Sequence, residues 1–375
     1  MKRKAAGKKA KAALSERSGA ALAPLIAEVR GLIQSARQSA ATAVNTLQVM
    51  TNFEIGRRIV DHEQKGAKRA AYGAESLKEL SARLTEEFGS GFSERNLDYM
   101  RKFYLAWRER FPSISQTPSA KFAPIPISAT ESRKSLNPFT VSWSHYVLLL
   151  TITNPDERSF YEIEAASENW SLRELKRQVA SSLYERLALS RDKKAIRRLA
   201  AEGQIISRPE DILKEPYTLE FLGLAEKASY SESDLEQAII DRIEHFLLEL
   251  GKGFLFEARQ KRFTFDEDHF FVDLVFYNRL LRCYVLVDLK VDKLTHQDLG
   301  QMQMYVNYFD RHVKQPEENS TVGILLCKRK KDAIVELTLP KDANIHAREY
   351  KLYLPSKELL KKKLLEWTRD QELKV

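Results

Sequence analysis

HFFVDLVFY (269–277) and, four residues later, RCYVLVDLKV (282–291) read as two β-strands joined by a hairpin. Side chains alternate along a strand, so Tyr284, Leu286, Asp288 and Lys290 share one face while Val285, Val287 and Leu289 take the other. Strands this apolar belong in the middle of a sheet, where an unpaired charge is costly. Asp288 and Lys290 therefore need a reason to be there. So does Asp273, which has large hydrophobes on both sides. With a four-residue connection, Asp273 falls on the face of Asp288 and within one diagonal step of it.

Two aspartates side by side repel and raise each other's pKa unless a cation lies between them. Mg²⁺ or Mn²⁺ suits such a place, since a hard ion takes oxygen ligands from few carboxylates and leaves positions for water and phosphate. Lys290 is then placed to orient or help deprotonate an attacking water and to balance phosphate charge. Together the three residues suit phosphodiester hydrolysis. The alternative, a buried Asp–Lys pair serving structure, leaves Asp273 unexplained.

Working outward, a helix (234–250) and the strand FLFEARQ precede the hairpin. A helix (296–311), the strand TVGILLC, a last strand EYKLYL and the basic amphipathic helix KELLKKKLLEWTRD follow it, the last as a lid on the core. Strands interleaved with helices predict a mixed α/β domain over 213–375. Glu236 is a candidate further acid, because Ile240, Ile243 and Leu247 follow on its helical face. Ser233 to Glu236 fits a capping box equally well. Arg259, Gln260 and Lys261 close the first strand, either against a DNA backbone or as a solvated strand end.

The N-terminal half has helical spacing throughout. Leu77, Leu80, Leu84 and Phe88 form one stripe. A Gly-Ser-Gly break follows, then Ser93 as an N-cap and Leu97, Met100, Phe103 and Tyr104 as a second stripe. This predicts an all-α domain over 21–190 with a helix-turn-helix-like pair. Arg95, Asn96, Arg101 and Lys102 on the polar face are candidate DNA contacts, though such pairs are also plain packing units. Residues 112–138, rich in Pro and Ser, predict a flexible insertion, and 191–212, charged and poor in large apolar residues, a linker. Trp143, His145, Arg158, Tyr161 and Trp170 read as core and packing residues.

A chain of 375 residues exceeds one ordinary core, in keeping with two domains. The formal charge is +9, of which Met1 to Arg17 carry a net +6, so the basic pI describes a tail. Such a tail, expected to be disordered over 1–20, favours phosphate backbones through counterion release. No apolar run reaches the ~18 residues of a membrane span, and a basic start with no apolar stretch behind it predicts no secretory signal. Cys283 and Cys327 lie in apolar runs and read as buried hydrophobes, consistent with a reducing cytoplasm. Self-association is left open.

Asp followed by (Asp/Glu)-x-Lys across a hairpin resembles the PD-(D/E)XK nucleases, here as Val272-Asp273 and Asp288-Leu289-Lys290. Gln301 and Tyr305, one turn apart on the next helix, resemble the Gln-xxx-Tyr motif of RecB-like members. More closely, the chain resembles the YhcG family. The likeness is carried by EIGRRIV, AAYGAESLKELSARLTEEFGSGFSERNL, SWSHYVLLL, NWSLRELKRQVASSLYERL, YTLEFLGL, SESDLEQAII, FLLELGKGFLFEARQKRF and GQMQMYVNYFD. It implies a helical DNA-binding domain followed by a restriction-endonuclease-like nuclease domain. It also implies a metal held by Asp273, Asp288 and the Leu289 carbonyl, with Lys290, Glu236, Gln301 and Tyr305 as the other site residues. Two positions depart from the pattern: Val272 stands for the motif's proline, and Asp288 for the glutamate that YhcG relatives usually carry. The shorter acid leaves a second outcome open, a DNA-binding protein whose nuclease fold has lost activity. An RNA-directed enzyme is the other.

Overall fold

A computed structural model describes the backbone of residues 2–65, 70–110, 139–224, 230–265, 267–340 and 342–372. Side chains are described for these except 2–24, 65, 70–74, 110, 193 and 367–372. The expected insertion at 112–138 lies outside the described residues. The chain divides into two compact units, Met1–Thr153 and Asn154–Val375.

The first unit holds α1 (Lys2–Lys65), α2 (Ala70–Phe88), α3 (Glu94–Trp107) and α4 (Trp143–Leu149). The basic stretch expected as a disordered tail belongs to α1 from Lys2 onward, and its Ala, Lys, Arg and Leu content is strongly helix-forming. Leu97, Met100, Phe103 and Trp107 recur at helical spacing and are buried. Around Phe103 gather the rings of Phe53, Phe139, Trp143 and Tyr146, the last with its centroid 4.7 Å away. Gly56 lets α1 approach α3, since a Cβ there would lie 2.0 Å from the Met100 carbonyl oxygen. Ser93 caps α3 as expected, its hydroxyl accepting from the Asn96 N–H at 3.3 Å.

The second unit begins with α5 (Pro155–Ser167), α6 (Leu172–Ala180), α7 (Leu183–Leu189) and α8 (Lys193–Glu202). Here the expected linker at 191–212 is corrected. Asp192 caps α8, Leu199 and Ala200 are buried by it, and Ile212 is buried beyond it. The charges that suggested a linker are the solvent face of an amphipathic helix.

A six-stranded mixed sheet follows, made of β1 (Tyr217–Thr218), β2 (Phe254–Phe265), β3 (Asp268–Asn278), β4 (Cys283–Lys293), β5 (Val322–Arg329) and β6 (Ile345–Lys351). Its order is β1-β6-β5-β4-β3-β2; β2, β3 and β4 are antiparallel, while β4, β5, β6 and β1 run parallel. The helix expected over 234–250 breaks at Arg242 into α9 (Glu232–Asp241) and α10 (Ile243–Leu250). Leu235, Ile239 and Phe246 of this pair cover one sheet face, meeting Val285, Val287 and Leu289. On the other face Met302, Tyr305 and Phe309 of α11 (His296–His312) meet Leu286, with partly buried Ile334 and Val335 of α12 (Asp332–Thr338) packed against them. The alternation predicted for β4 is thus the observed one. The closing helix α13 (Lys357–Glu372) packs on α7, with its Leu360 buried. Both cysteines are free and buried. Among the described residues no helix is long and apolar enough to cross a membrane.

Candidate active site

The loop between β3 and β4 is the four residues Arg279 to Arg282, and Asn278 folds it by accepting from the N–H groups of Leu280 and Leu281. This sets the register Asn278↔Cys283 through Leu274↔Val287. One step further, Asp273 falls opposite Asp288, but there the strands part. The Leu289 N–H donates to the Asp273 carboxylate at 2.9 Å.

The alternation of β3 also changes phase at this point. Leu274 and Phe276 belong to the core under α9 and α10, and Val275 to the core under α11, yet Val272 packs on the α11 side too. Across on β2, Gln260 takes the left-handed conformation, φ 45°. Few non-glycine residues adopt it, and such positions recur at functional sites. Its side chain explains what holds it: the amide donates to Asp273 at 3.1 Å and also to Glu236.

Bonded to the Leu289 N–H, the Asp273 carboxylate lies in the field of Asp288. Burial, then the Asp288 charge, pushes the Asp273 carboxyl up to about 7. Lys290 lies beside the pair, its ammonium 2.8 Å from Asp288. Burial alone would lower the Lys290 pKa, but Asp288 and then Glu232 hold it above the usual lysine range. The three residues singled out in the two strands therefore converge.

Glu236 is buried on α9 and accepts from Arg259 as well as Gln260. The capping box expected at Ser233 is instead Ser231 with Asp234, so the Glu236 carboxylate is directed inward. Arg259 and Gln260, expected against DNA backbone, are turned to α9: Arg259 bonds Glu236 and Gln237, and Gln260 links Glu236 to Asp273. Lys261 pairs with Glu257 at 3.2 Å. On α11 the Gln301 amide donates to the Tyr305 hydroxyl at 2.7 Å. The Tyr305 phenol is pushed up to about 12 by burial and by the charges of Asp288 and Asp273, which places it in their field.

Sequence reasoning missed Glu232, which meets Lys290 at 3.3 Å. Its signal was its place one helical turn before Glu236. In the first unit, Arg101 pairs with Asp98 and Glu63, Lys102 pairs with Asp98, and Arg95 donates to Tyr99. Asn96 is committed at both ends of its amide, donating to the Gly91 carbonyl and accepting from the Trp143 indole.

The donor set fits a hard divalent ion. Two neighbouring carboxylates, one with its pKa raised toward neutrality, are stabilised by a shared cation, and the Leu289 carbonyl adjoins them in sequence. Among the described residues no group of three or more His, Cys, Asp or Glu side chains is placed to hold a metal ion, so the candidate donors are the two carboxylates and the carbonyl.

Residues 210–365 match the model of the YhcG PDDEXK nuclease domain, and residues 28–186 that of the DUF1016 N-terminal domain. The Escherichia coli (strain K12) protein named "Putative nuclease YhcG" is 43% identical over 346 residues, covering 89% of this chain and 91% of that one. A solved repair endonuclease from Pyrococcus abyssi aligns over 35% of this chain and 50% of that one, at 19% identity and a TM-score of 0.23, too slight a likeness to bear on the fold. With its nuclease motif on the β3–β4 hairpin and both family models matched in order, the chain belongs to the YhcG family of PDDEXK nucleases.

Proposed function

We propose that the chain hydrolyses DNA phosphodiester bonds with the help of Mg²⁺ or Mn²⁺, its N-terminal helical unit contributing affinity for DNA. The observation that carries this is the Asp273 carboxylate held on the Leu289 N–H at 2.9 Å, next to Asp288, whose carboxylate lies 2.8 Å from the Lys290 ammonium. Asp273, Asp288 and the Leu289 carbonyl would hold the ion, which would neutralise phosphate charge and acidify a water. Lys290 orients that water and faces the scissile phosphate. Gln260 and the Leu289 N–H fix the two oxygens of Asp273, Glu236 holds Gln260, and Gln301 positions Tyr305. The test is cleavage of single-stranded, blunt and nicked DNA under Mg²⁺ or Mn²⁺, with labelled RNA as competitor. No cleavage of any form, or preference for RNA, overturns it.

The raised Asp273 pKa makes metal-free stability pH-dependent. A carboxyl that titrates near 3.8 unfolded and about 7 folded binds its proton more tightly in the native state. Its contribution is full below the unfolded value and lost as pH rises through the folded one. Between pH 5 and 8 with chelator, the parent should lose on the order of 2 kcal/mol relative to Asp273→Asn, after allowance for partial exposure and coupling. Divalent ion should restore the loss at pH 8 in the parent alone, because the ion replaces the proton. Parallel pH profiles for parent and variant would detach Asp273 from the pair.

The basic stretch Met1 to Arg17 is assigned to phosphate contact. Deleting it should weaken DNA binding and flatten the dependence of affinity on salt, without changing sequence preference. An unchanged slope removes that role.

A further inference from the structure

The strands that carry Gln260 and Asp273 continue past the sheet. β4 pairs with β3 only between Leu274 and Asn278, whereas β2 and β3 stay paired out to Phe265↔Asp268. Residues 261–265 and 268–272 thus form a two-stranded ribbon that begins beside Asp273. Its two faces differ. One carries Phe263, Phe270 and Val272, packed with the α11 side, where Phe263 stacks on Tyr308 at 4.0 Å. The other carries the cross-strand pairs Arg262↔Phe271 and Thr264↔His269, all exposed.

On this outer face Phe271 is 46% exposed. Around it the polar side chains are tied together: Arg262 donates to the His269 ring at 2.9 Å, and Thr264 bonds the same ring at 3.0 Å. A single exposed phenylalanine is ordinary on any surface. Position distinguishes this one. It is two residues from Asp273 on the same strand, about 7 Å along it, and its cross-strand neighbour is an arginine. Base stacking on aromatic rings with a cation alongside is how single strands are held, and it is sequence-tolerant because every base has a π-face. Bases within a continuous duplex are stacked on one another and offer no such face. The acids Glu267 and Asp268 at the ribbon's end repel phosphate, which confines the track to the part nearest the carboxylates.

We propose that the outer face of this ribbon is a subsite for an unpaired nucleotide beside the scissile phosphate, its base stacked on Phe271 and its phosphate met by Arg262. The inference rests on the nuclease reading and narrows its substrate class to single-stranded, flapped or frayed DNA.

The full chain, kept from cutting by chelator, is titrated into a fluorescent single strand and a blunt duplex of equal length. Phe271→Ala should weaken single-strand binding about tenfold and leave duplex binding unchanged, while Phe271→Trp retains the parent affinity. Arg262→Ala should weaken single-strand binding and lower its salt slope by about one. A 2-aminopurine in the bound strand should be quenched by the parent and by Phe271→Trp, but less by Phe271→Ala. Because Phe271 is exposed, its truncation leaves the core intact. Equal effects of Phe271→Ala on both DNA forms, or none, would remove the stacking subsite while sparing the nuclease reading. A parent that binds neither form overturns both.

Discussion

Asp273→Ala is expected to reduce DNA cleavage by about a thousandfold or more, equivalent to ~4 kcal/mol of transition-state stabilisation. Asp288→Asn should do the same while leaving DNA binding intact or tighter, since one negative charge near phosphate is gone. Lys290→Ala should also stop cleavage but retain divalent-ion binding, because the lysine acts on water and phosphate. Gln260→Ala should fall between, at roughly a ten- to hundredfold loss, the range typical of groups that orient a metal ligand. Each variant is judged against its thermal melt, so that lost folding is not mistaken for lost chemistry. Asp288→Glu restores the side chain usual among relatives and should keep the activity. A silent parent with activity appearing only in Asp288→Glu would mean that the shorter acid has cost this chain its catalysis. Equal cleavage by the parent and Asp288→Asn would take Asp288 out of the mechanism.

What could be read ahead of the structure was the part governed by strand alternation and loop length. Asp273, Asp288 and Lys290 stood out because each is a charge in an apolar run, and a four-residue loop sets the register between them. The phase change at Asp273 was not legible. It lies across from Gln260, whose φ of 45° nothing local in Glu-Ala-Arg-Gln-Lys demands. That conformation is held by bonds to Glu236 and Asp273, residues 24 and 13 positions away. For the same reason Arg259 looked like a free strand end: its partners come from α9. The break at Arg242 was hidden because the apolar spacing continues across it from Ile240 to Ile243. In α8 the signal was present, with Ile196, Leu199 and Ala200 at helical spacing, but the charges on the other face outweighed it.

A buried ion pair inside the second unit gives the second large effect. Glu249→Ala is expected to destabilise the chain by about 3–5 kcal/mol, the cost of leaving a buried charge without its partner. Arg186 on α7 and Glu249 on α10 are both fully buried and form an ion pair. The guanidinium also donates to the Ser181 carbonyl and hydroxyl and to the Pro216 carbonyl, at 2.8, 3.0 and 3.2 Å. Glu249 accepts in addition from the Thr218 N–H at 2.9 Å, and its backbone carbonyl accepts from buried Lys214. Burial alone would raise the Glu249 pKa, but Arg186 and Lys214 hold it below the usual range. Its stabilising charge is therefore present at neutral pH and lost as pH falls through that lowered value. Nearly every polar atom of Arg186 has its partner here, so removing the carboxylate leaves the arginine buried with nothing to balance it. Replacing both charges together, as Arg186→Met with Glu249→Leu, should cost much less than the sum of the single changes. Because α7 and α10 lie in one compact unit, we infer that α5–α8 unfold with the sheet. Limited proteolysis should then leave 191–212 uncut while the sheet stands. Denaturant melts of the single and double variants measure the coupling. A loss below about 1 kcal/mol for Glu249→Ala, or early cleavage within 191–212, would return those helices to the N-terminal side.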